Sequence, residues 1–172
     1  MQLTAGNAEK LISSLGMSDL PLVEHKPVLT RVSSDWFAKY KNLCKEFIMS
    51  LSDSIETLAF MNLSQDEFVN LIMGRSIPEN LSIRFRVPLT WGGKLEISNL
   101  FMCKTFPHSY NMDRFIIQQS NSDIIWLPNP AQKIYLPVNM LGGGDGGDGV
   151  AIPIAADERP PFVRRKLPQK AV

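Results

Sequence analysis

Cysteine is scarce in this chain, and its scarcity excludes two classes of site. Cys44 and Cys103 are the only cysteines among 172 residues, and they lie far apart, in no metal-ligand spacing. The pattern therefore predicts neither a zinc site nor a disulfide framework. It favours two buried thiols in a reducing compartment.

Long hydrophobic runs and an excess of one charge are also missing. No window approaches the roughly 20 apolar residues that span a bilayer, and no basic segment followed by an apolar run stands near the N-terminus. The formal net charge of +1 gives no global electrostatic argument for nucleic acid. We therefore expect no membrane span, a location in the cytoplasm or inside whichever cell the chain is delivered to, and nucleic-acid contact only through local clusters.

The apolar content is sufficient for one globular domain with a proper core. Of the 172 residues, 44% are hydrophobic, and the expected fold class is α+β. We expect an irregular N-terminal segment at 1–32, a single domain at 33–141 and a flexible tail at 142–172. Within the domain, helices are expected at 33–74, a strand-containing unit at 77–119 and an extended strap at 120–141.

A long helix is predicted after Ser33-Ser34-Asp35, which are good capping residues. Apolar side chains follow at three- and four-residue steps: Trp36, Tyr40, Leu43, Phe47, Leu51, Ile55 and Leu58, with Phe37, Cys44 and Ile48 widening the stripe. This spacing predicts a helix with one broad buried face, bent where serines cluster at 50–54. Its aromatic residues are read as core rather than as a binding surface, because they share the stripe with the aliphatic residues.

Two further helices are predicted from their ends. Ser64 with Glu67 forms a capping-box pattern and Gly74 is a stop signal, so a helix is expected at 65–73. A short helix is expected at 7–15, ended by glycine and proline.

The region after residue 119 is punctuated by proline and then by glycine. Pro128, Pro130 and Pro137 predict an irregular strap rather than a helix or a central strand. The stretch GGGDGGDG at 142–149 is typical of a flexible linker; a calcium-binding repeat is the weaker alternative because there is one copy. The end of the chain carries the basic residues Arg164, Arg165 and Lys166. A solvated tail is the default interpretation, and the alternative is a partner-binding tail that contacts phosphate or an acidic surface.

Residues 77–117 contain an ordered series of signals. A strand carries Arg84, Phe85 and Arg86, a glycine turn follows at Trp91-Gly92-Gly93, and Asn99-Leu100 precedes a short helix that begins near Pro107 and His108. This order resembles the ββα finger of HNH endonucleases, most closely the colicin and pyocin type. The resemblance implies that 77–119, here named the finger, folds as two strands and a helix.

The resemblance also implies that most of the catalytic side chains are missing. In the family, a strand ends in a metal ligand and a general base, an asparagine positions the loop, and two ligands follow on the helix. The matching positions are Arg84, Phe85, Asn99, His108 and Met112. Arginine has no lone pair, phenylalanine accepts no proton, and a thioether is a poor ligand for magnesium or zinc. We therefore expect no catalysis, no metal and no cofactor, with Phe85, Asn99 and His108 as degenerate catalytic positions and Arg84, His108 and Met112 as degenerate metal positions.

Two alternative sets of residues in this region would still form a chemically competent site. His108 with Asp113 and Glu96 offers three metal ligands, although a five-residue step separates the first two by about 140° on a helix. Cys103 with His108 offers a nucleophile and a base without an orienting acid.

The residues that replace the usual HNH side chains also suggest a positively charged surface. In a strand, Ile83 and Phe85 alternate with Arg84 and Arg86, so both arginines share one face. The predicted phosphate-binding residues are Arg84, Arg86, Lys94, Lys104, His108 and Arg114. The favoured interpretation of Arg84 itself is structural: it pairs with Glu79 or Glu96 and stiffens the fold.

Three functions are consistent with these patterns. The first is a catalytically inactive HNH-like domain, a structural or binding component of a larger bacterial or phage assembly, with a protein partner favoured over nucleic-acid phosphate. The second is an unorthodox metal-dependent nuclease that uses His108. The third is an unrelated α+β interaction module.

Overall fold

The computed structural model describes residues 2–59 and 61–137. The linker and tail predicted at 142–172, with Arg164, Arg165 and Lys166, lie outside the described residues, as do the last residues of the strap. The fold class is α+β, as the sequence predicts. The helices are α1 (Ala5–Ser14), α2 (Trp36–Met49), α3 (Ile55–Ala59), α4 (Gln65–Ile72) and α5 (Tyr110–Ile117); the strands are β1 (Leu22–His25), β2 (Leu81–Phe85), β3 (Leu100–Lys104) and β4 (Ile125–Pro128).

The predicted bend in the long helix is present. A 3-10 turn at Ser50–Ser54 separates α2 from α3, and Ser50 Oγ donates to the carbonyl oxygen of Phe47. Ile55 was predicted on the buried stripe but is 46% exposed. The tighter winding of five 3-10 residues turns Ile55 away from the α-helical stripe, whereas Leu58 remains buried.

The ends of α4 and α1 follow from their capping residues. Ser64 accepts a hydrogen bond from the backbone N–H of Glu67, whose side chain accepts from the Ser64 N–H, and Gly74 has φ +71°. In α1 the hydroxyl of Thr4 accepts from the N–H of Asn7, so this helix begins slightly earlier than predicted.

The finger contains two strands and a helix in ββα order. β2 and β3 pair antiparallel, with Arg84 opposite Phe101 and Phe85 opposite Leu100. A turn at Thr105–Ser109, in which Phe106 has an extended conformation, leads from β3 into α5.

A second small sheet joins the N-terminal segment to the strap. β1 and β4 pair antiparallel from Leu22 opposite Pro128 to His25 opposite Ile125. The N-terminal segment, predicted as irregular, thus contains a strand. Local patterns did not predict it because its partner lies about a hundred residues away.

The β2–β3 pair lies between two apolar clusters. Leu100 and Met102 belong to a first cluster with α2, α3 and α4, whereas Phe101 and Cys103 belong to a second cluster with α1 and α5. Alternation along β2 directs Ile83 into the first cluster and Arg84 toward α5. The face that carries Arg84 is therefore covered by a helix. Of the helices in the described part of the chain, none has the length and apolar character that a membrane span requires.

Candidate functional site in the ββα finger

Arg84 carries a largely buried positive charge inside the finger. One of its terminal nitrogens lies 3.0 Å from a carboxylate oxygen of Asp113 and 2.9 Å from the hydroxyl of Ser109, and it also donates to the Ser109 carbonyl. The side chains of Arg84 and Asp113 are only 13% and 10% exposed. The guanidinium thus connects β2 to α5.

The partner of Arg84 differs from the two predicted ones. Glu79 and Glu96 are both exposed, whereas Asp113 is buried on α5. Strand alternation turns Arg84 toward the helix that covers this face, so the helix supplies the carboxylate. The Nε atom of Arg84 is buried and has no hydrogen-bond partner in the described structure.

Arg86 fixes the strap against the finger. Its guanidinium lies 5.3 Å from the ring centroid of Phe101 and donates to the carbonyl oxygens of Ser98, Pro130 and Gln132 and to the side chain of Asn129. Burial lowers the pKa of Arg86. These donors are directed to internal acceptors, which counts against phosphate contact through Arg86.

Asn99 closes the finger loop, residues 86–99. Its side-chain oxygen accepts from the N–H of Val87 at 2.9 Å, and its amide nitrogen donates to the carbonyl oxygens of Val87 at 2.9 Å and Lys94 at 3.0 Å. Inside the loop, Gly92 has φ +99°, and a Cβ on Gly93 would lie 1.9 Å from the Val87 carbonyl oxygen. The loop therefore requires an asparagine at its base and glycine at its tip.

His108 is buried beside the second cluster. Only 5% of the residue is exposed, and its ring lies 5.6 Å from the ring of Tyr135 in an edge arrangement. Burial, followed by the nearby charge of Lys104, lowers the pKa of His108 from 6.5 to about 4, against an opposing influence of Asp19. Its Nδ1 atom is buried without a hydrogen-bond partner among the described residues. The imidazole is neutral at neutral pH and faces the protein interior.

The structure corrects the predicted role of Phe85. Its ring lies 5.5 Å from that of Tyr40 and packs against the first cluster, whereas His108 contacts Tyr135 of the second cluster. Adjacent strand residues face opposite sides of a sheet, so Arg84 and Phe85 do not belong to one site. Phe85 is a partly buried residue that packs against the first cluster.

The remaining predicted ligands are dispersed. Met112 is fully buried in the second cluster. Lys94 and Arg114 are exposed, and Lys104 is half-buried, with its pKa lowered by burial. Arg114 stacks over Tyr110 at 5.7 Å. Three of the six predicted phosphate-binding residues, Arg84, Arg86 and His108, are thus engaged in internal contacts or buried.

The described residues support neither alternative site. Within residues 2–59 and 61–137, no three His, Cys, Asp or Glu side chains form a group able to hold one metal ion. Cys103 is fully buried, and burial raises its pKa to about 12, so its thiol is protonated and unreactive at neutral pH.

Sequence reasoning missed the contacts of Ser109 and of Asp113 with Arg84. Asp113 was considered only as a metal ligand, although an aspartate on the helix that follows an arginine-bearing strand was a usable signal. Comparison of the chain with family models, curated proteins and solved structures finds no match. The resemblance to HNH endonucleases therefore stays a prediction.

Proposed function

We propose that this protein is a catalytically inactive HNH-like domain that acts as a structural or binding component of a larger bacterial or phage assembly. Three features support the relationship: the ββα order of β2, β3 and α5, the antiparallel pairing of the strands, and Asn99 at the base of the loop. Phe85 does not support the relationship, because it packs against the first cluster on the other side of the sheet from Arg84.

The observation that carries the proposal is the Arg84–Asp113 ion pair. In an HNH site the strand would supply a metal ligand to a cation held against the helix. Here a permanently charged guanidinium occupies the strand position, and the nearest helix carboxylate neutralises it at 3.0 Å. A cation bound in the same place would meet electrostatic repulsion and would compete with Arg84 for Asp113.

A protein partner is favoured over nucleic acid. The two arginines that were expected to form a positive face donate to internal acceptors, and the net charge is only +1. Beside the finger loop runs an exposed apolar segment, where Thr30 N–H bonds to the Thr90 carbonyl and where Val28 and Leu29 are 61% and 88% exposed. Neighbouring exposed apolar side chains are typical of protein-binding surfaces.

A cleavage assay tests the absence of catalysis. Supercoiled plasmid is incubated with the full chain and magnesium, manganese, nickel or zinc, with chelator controls and with the His108→Ala variant. We expect no metal-dependent nicking above the chelator background. Metal-dependent nicking by the wild-type chain that disappears in His108→Ala would overturn the proposal in favour of the nuclease.

A photo-crosslinking experiment tests the choice of partner. A photoreactive amino acid is placed at Leu29 of the full chain, or at exposed Lys10 as the matched control, and the protein is irradiated in cells of its source. A discrete protein adduct at position 29 that is absent at position 10 supports a protein partner. Adducts to nucleic acid at both positions, together with binding of duplex DNA at low salt, would contradict it.

A further inference from the structure

An apolar cavity of about 530 Å³, widely open to solvent, lies between α2 and the turn that follows α4. Tyr40, Cys44 and Ile48 of α2 form one wall, and Leu81 and Ile83 of β2 form the other. The volume falls within the range of small-molecule sites, roughly 300–1,000 Å³. The aromatic stripe of α2, which the sequence analysis assigned wholly to the core, thus also borders a cavity.

The mouth of this cavity is positively charged. Lys41 and Lys45 lie one helical turn apart on α2, and Arg75 lies in the turn after α4; all three line the cavity and are exposed. The salt bridges of the described residues involve other side chains, so these three cations have no ion-pair partner there. Glu79 is the one acidic residue of the lining. The lining of the cavity therefore carries three positive charges and one negative charge.

Two hydroxyl groups in the wall of the cavity are already paired with each other. The hydroxyls of Ser82 and Thr105 lie 2.7 Å apart, and the Thr105 hydroxyl donates to the Glu79 carbonyl at 3.2 Å. A ligand rich in hydroxyl or amide groups would find few free partners inside, and its polar groups would be buried at a cost. The interior of the cavity therefore favours the hydrocarbon part of a ligand, and its mouth favours an anionic group.

We propose that this cavity binds one molecule of an amphipathic carboxylate of the chemical class of a medium-chain fatty acid. Its alkyl chain lies against Tyr40, Ile48 and Ile83, and its carboxylate lies at the mouth near Lys41, Lys45 and Arg75. The site is distinct from the Arg84–Asp113 pair, so the proposal goes beyond the proposed function and does not depend on it.

Calorimetric titration of the full chain tests the ligand class. Dodecanoate is titrated below its micelle concentration and compared with dodecan-1-ol and the dodecyltrimethylammonium ion, which share its alkyl chain. We expect one site, with dodecanoate bound about tenfold more tightly than the alcohol, because each exposed ion pair contributes only up to about fivefold. Equal binding of the three compounds would overturn the assignment of an anionic head group.

Two variants test the location. Lys41→Glu/Lys45→Glu reverses the charge at the mouth, and Lys10→Glu/Lys26→Glu makes the same change of net charge elsewhere on the surface. We expect the first to weaken dodecanoate binding at least about tenfold relative to the second. Cys44→Phe, which places a bulky ring in the wall of the cavity and narrows it, should weaken binding in a chain that stays folded by circular dichroism. Similar affinities in the two charge variants would overturn the proposal even if Cys44→Phe fails to fold.

Discussion

Arg84 of β2 and Asp113 of α5 form a salt bridge of 3.0 Å across the interior of the finger. Both side chains are at least 87% withdrawn from solvent, since their exposed fractions are 13% and 10%. Removing a buried charge from water costs several kcal/mol, and the cost is offset only while the opposite charge is in place. The salt bridge therefore couples the stability of β2 to that of α5.

The first prediction concerns the loss of one partner. Asp113→Leu leaves the Arg84 guanidinium buried without its counter-charge, and we expect a loss of about 3 kcal/mol in the free energy of unfolding. The double variant Arg84→Met/Asp113→Leu removes both charges and should regain most of that loss. Urea denaturation followed by circular dichroism measures the wild type, the two single variants Arg84→Met and Asp113→Leu, and the double variant.

An exposed ion pair on the same chain serves as the control. Lys39 lies 3.5 Å from Asp35, with side chains about 60% exposed, so Lys39→Met should change the free energy of unfolding by less than about 0.5 kcal/mol. If Arg84→Met and Asp113→Leu are additive in the double variant, the two charges are not coupled and the account of the finger fails.

The second prediction concerns the asparagine at the base of the finger loop. Asn99→Ala removes the acceptor for the Val87 N–H and the donor to the carbonyls of Val87 and Lys94. We expect a loss of about 1–3 kcal/mol in the free energy of unfolding, because half-buried backbone groups lose their partners. Hydrogen exchange of the Val87 amide should also become faster.

Asn99→Asp separates the hydrogen bond that the Asn99 side chain accepts from the two that it donates. The carboxylate still accepts from the Val87 N–H, but its second oxygen meets two carbonyl oxygens that the amide nitrogen formerly contacted. Its stability should be below that of the wild type at pH 7. Asn42→Ala, at an exposed position of α2, is the matched control and should be nearly neutral. Equal stability of the Asn99 variants and this control would contradict the role of Asn99.

The parts of the fold that could be predicted are those specified by neighbouring residues. The capping box of Ser64 and Glu67, the stop at Gly74 and the bend at Ser50–Ser54 all depend on hydrogen bonds or dihedral angles within one turn of chain. The alternation in β2 likewise predicts that Arg84 and Arg86 share a face.

The parts that could not be predicted depend on distant partners. Nothing local in Leu22–His25 indicates that it pairs with Ile125–Pro128. Alternation gave the direction of Arg84 but not the element that covers it, and so the carboxylate of Asp113 was missed. The helical period of α2 gives its inward face but not whether the space before that face is filled, and the cavity beside Cys44 was missed for this reason.

The third prediction concerns the glycine at the tip of the finger loop. A Cβ at position 93 would lie 1.9 Å from the carbonyl oxygen and 2.7 Å from the carbonyl carbon of Val87. These are backbone atoms held by Asn99, so they cannot move without opening the loop. We expect Gly93→Ala to lower the free energy of unfolding by at least about 2 kcal/mol in urea denaturation.

Gly6→Ala is the matched control for this substitution. Gly6 lies in α1, and a Cβ there would meet no atom within 4 Å. Alanine is favoured over glycine in a helix, so this variant should be as stable as the wild type or more stable, by up to about 1 kcal/mol. A Gly93→Ala variant as stable as Gly6→Ala would show that the finger loop is not packed as tightly as the structure indicates.

The fourth prediction concerns the pH dependence of stability. The pKa of His108 is lowered from 6.5 to about 4 in the folded protein, chiefly by burial and then by Lys104. Between these two pH values, His108 binds a proton in the unfolded chain but not in the folded chain. The contribution of His108 to the free energy of unfolding is therefore fully present above pH 6.5 and is lost as the pH decreases toward 4. The loss should reach about 3 kcal/mol at pH 4, measured by urea denaturation across this range.

His108→Phe isolates this contribution. Phenylalanine keeps an aromatic ring beside Tyr135, where the imidazole ring now lies at 5.6 Å, and it has no proton to bind. It also removes the buried Nδ1 atom that has no hydrogen-bond partner in the described residues. The variant should therefore match the wild type at pH 7 and exceed it increasingly below pH 6, because the folded state no longer has to exclude a proton. Parallel stability curves for the two proteins between pH 7 and pH 4 would mean that the acid sensitivity arises from other groups.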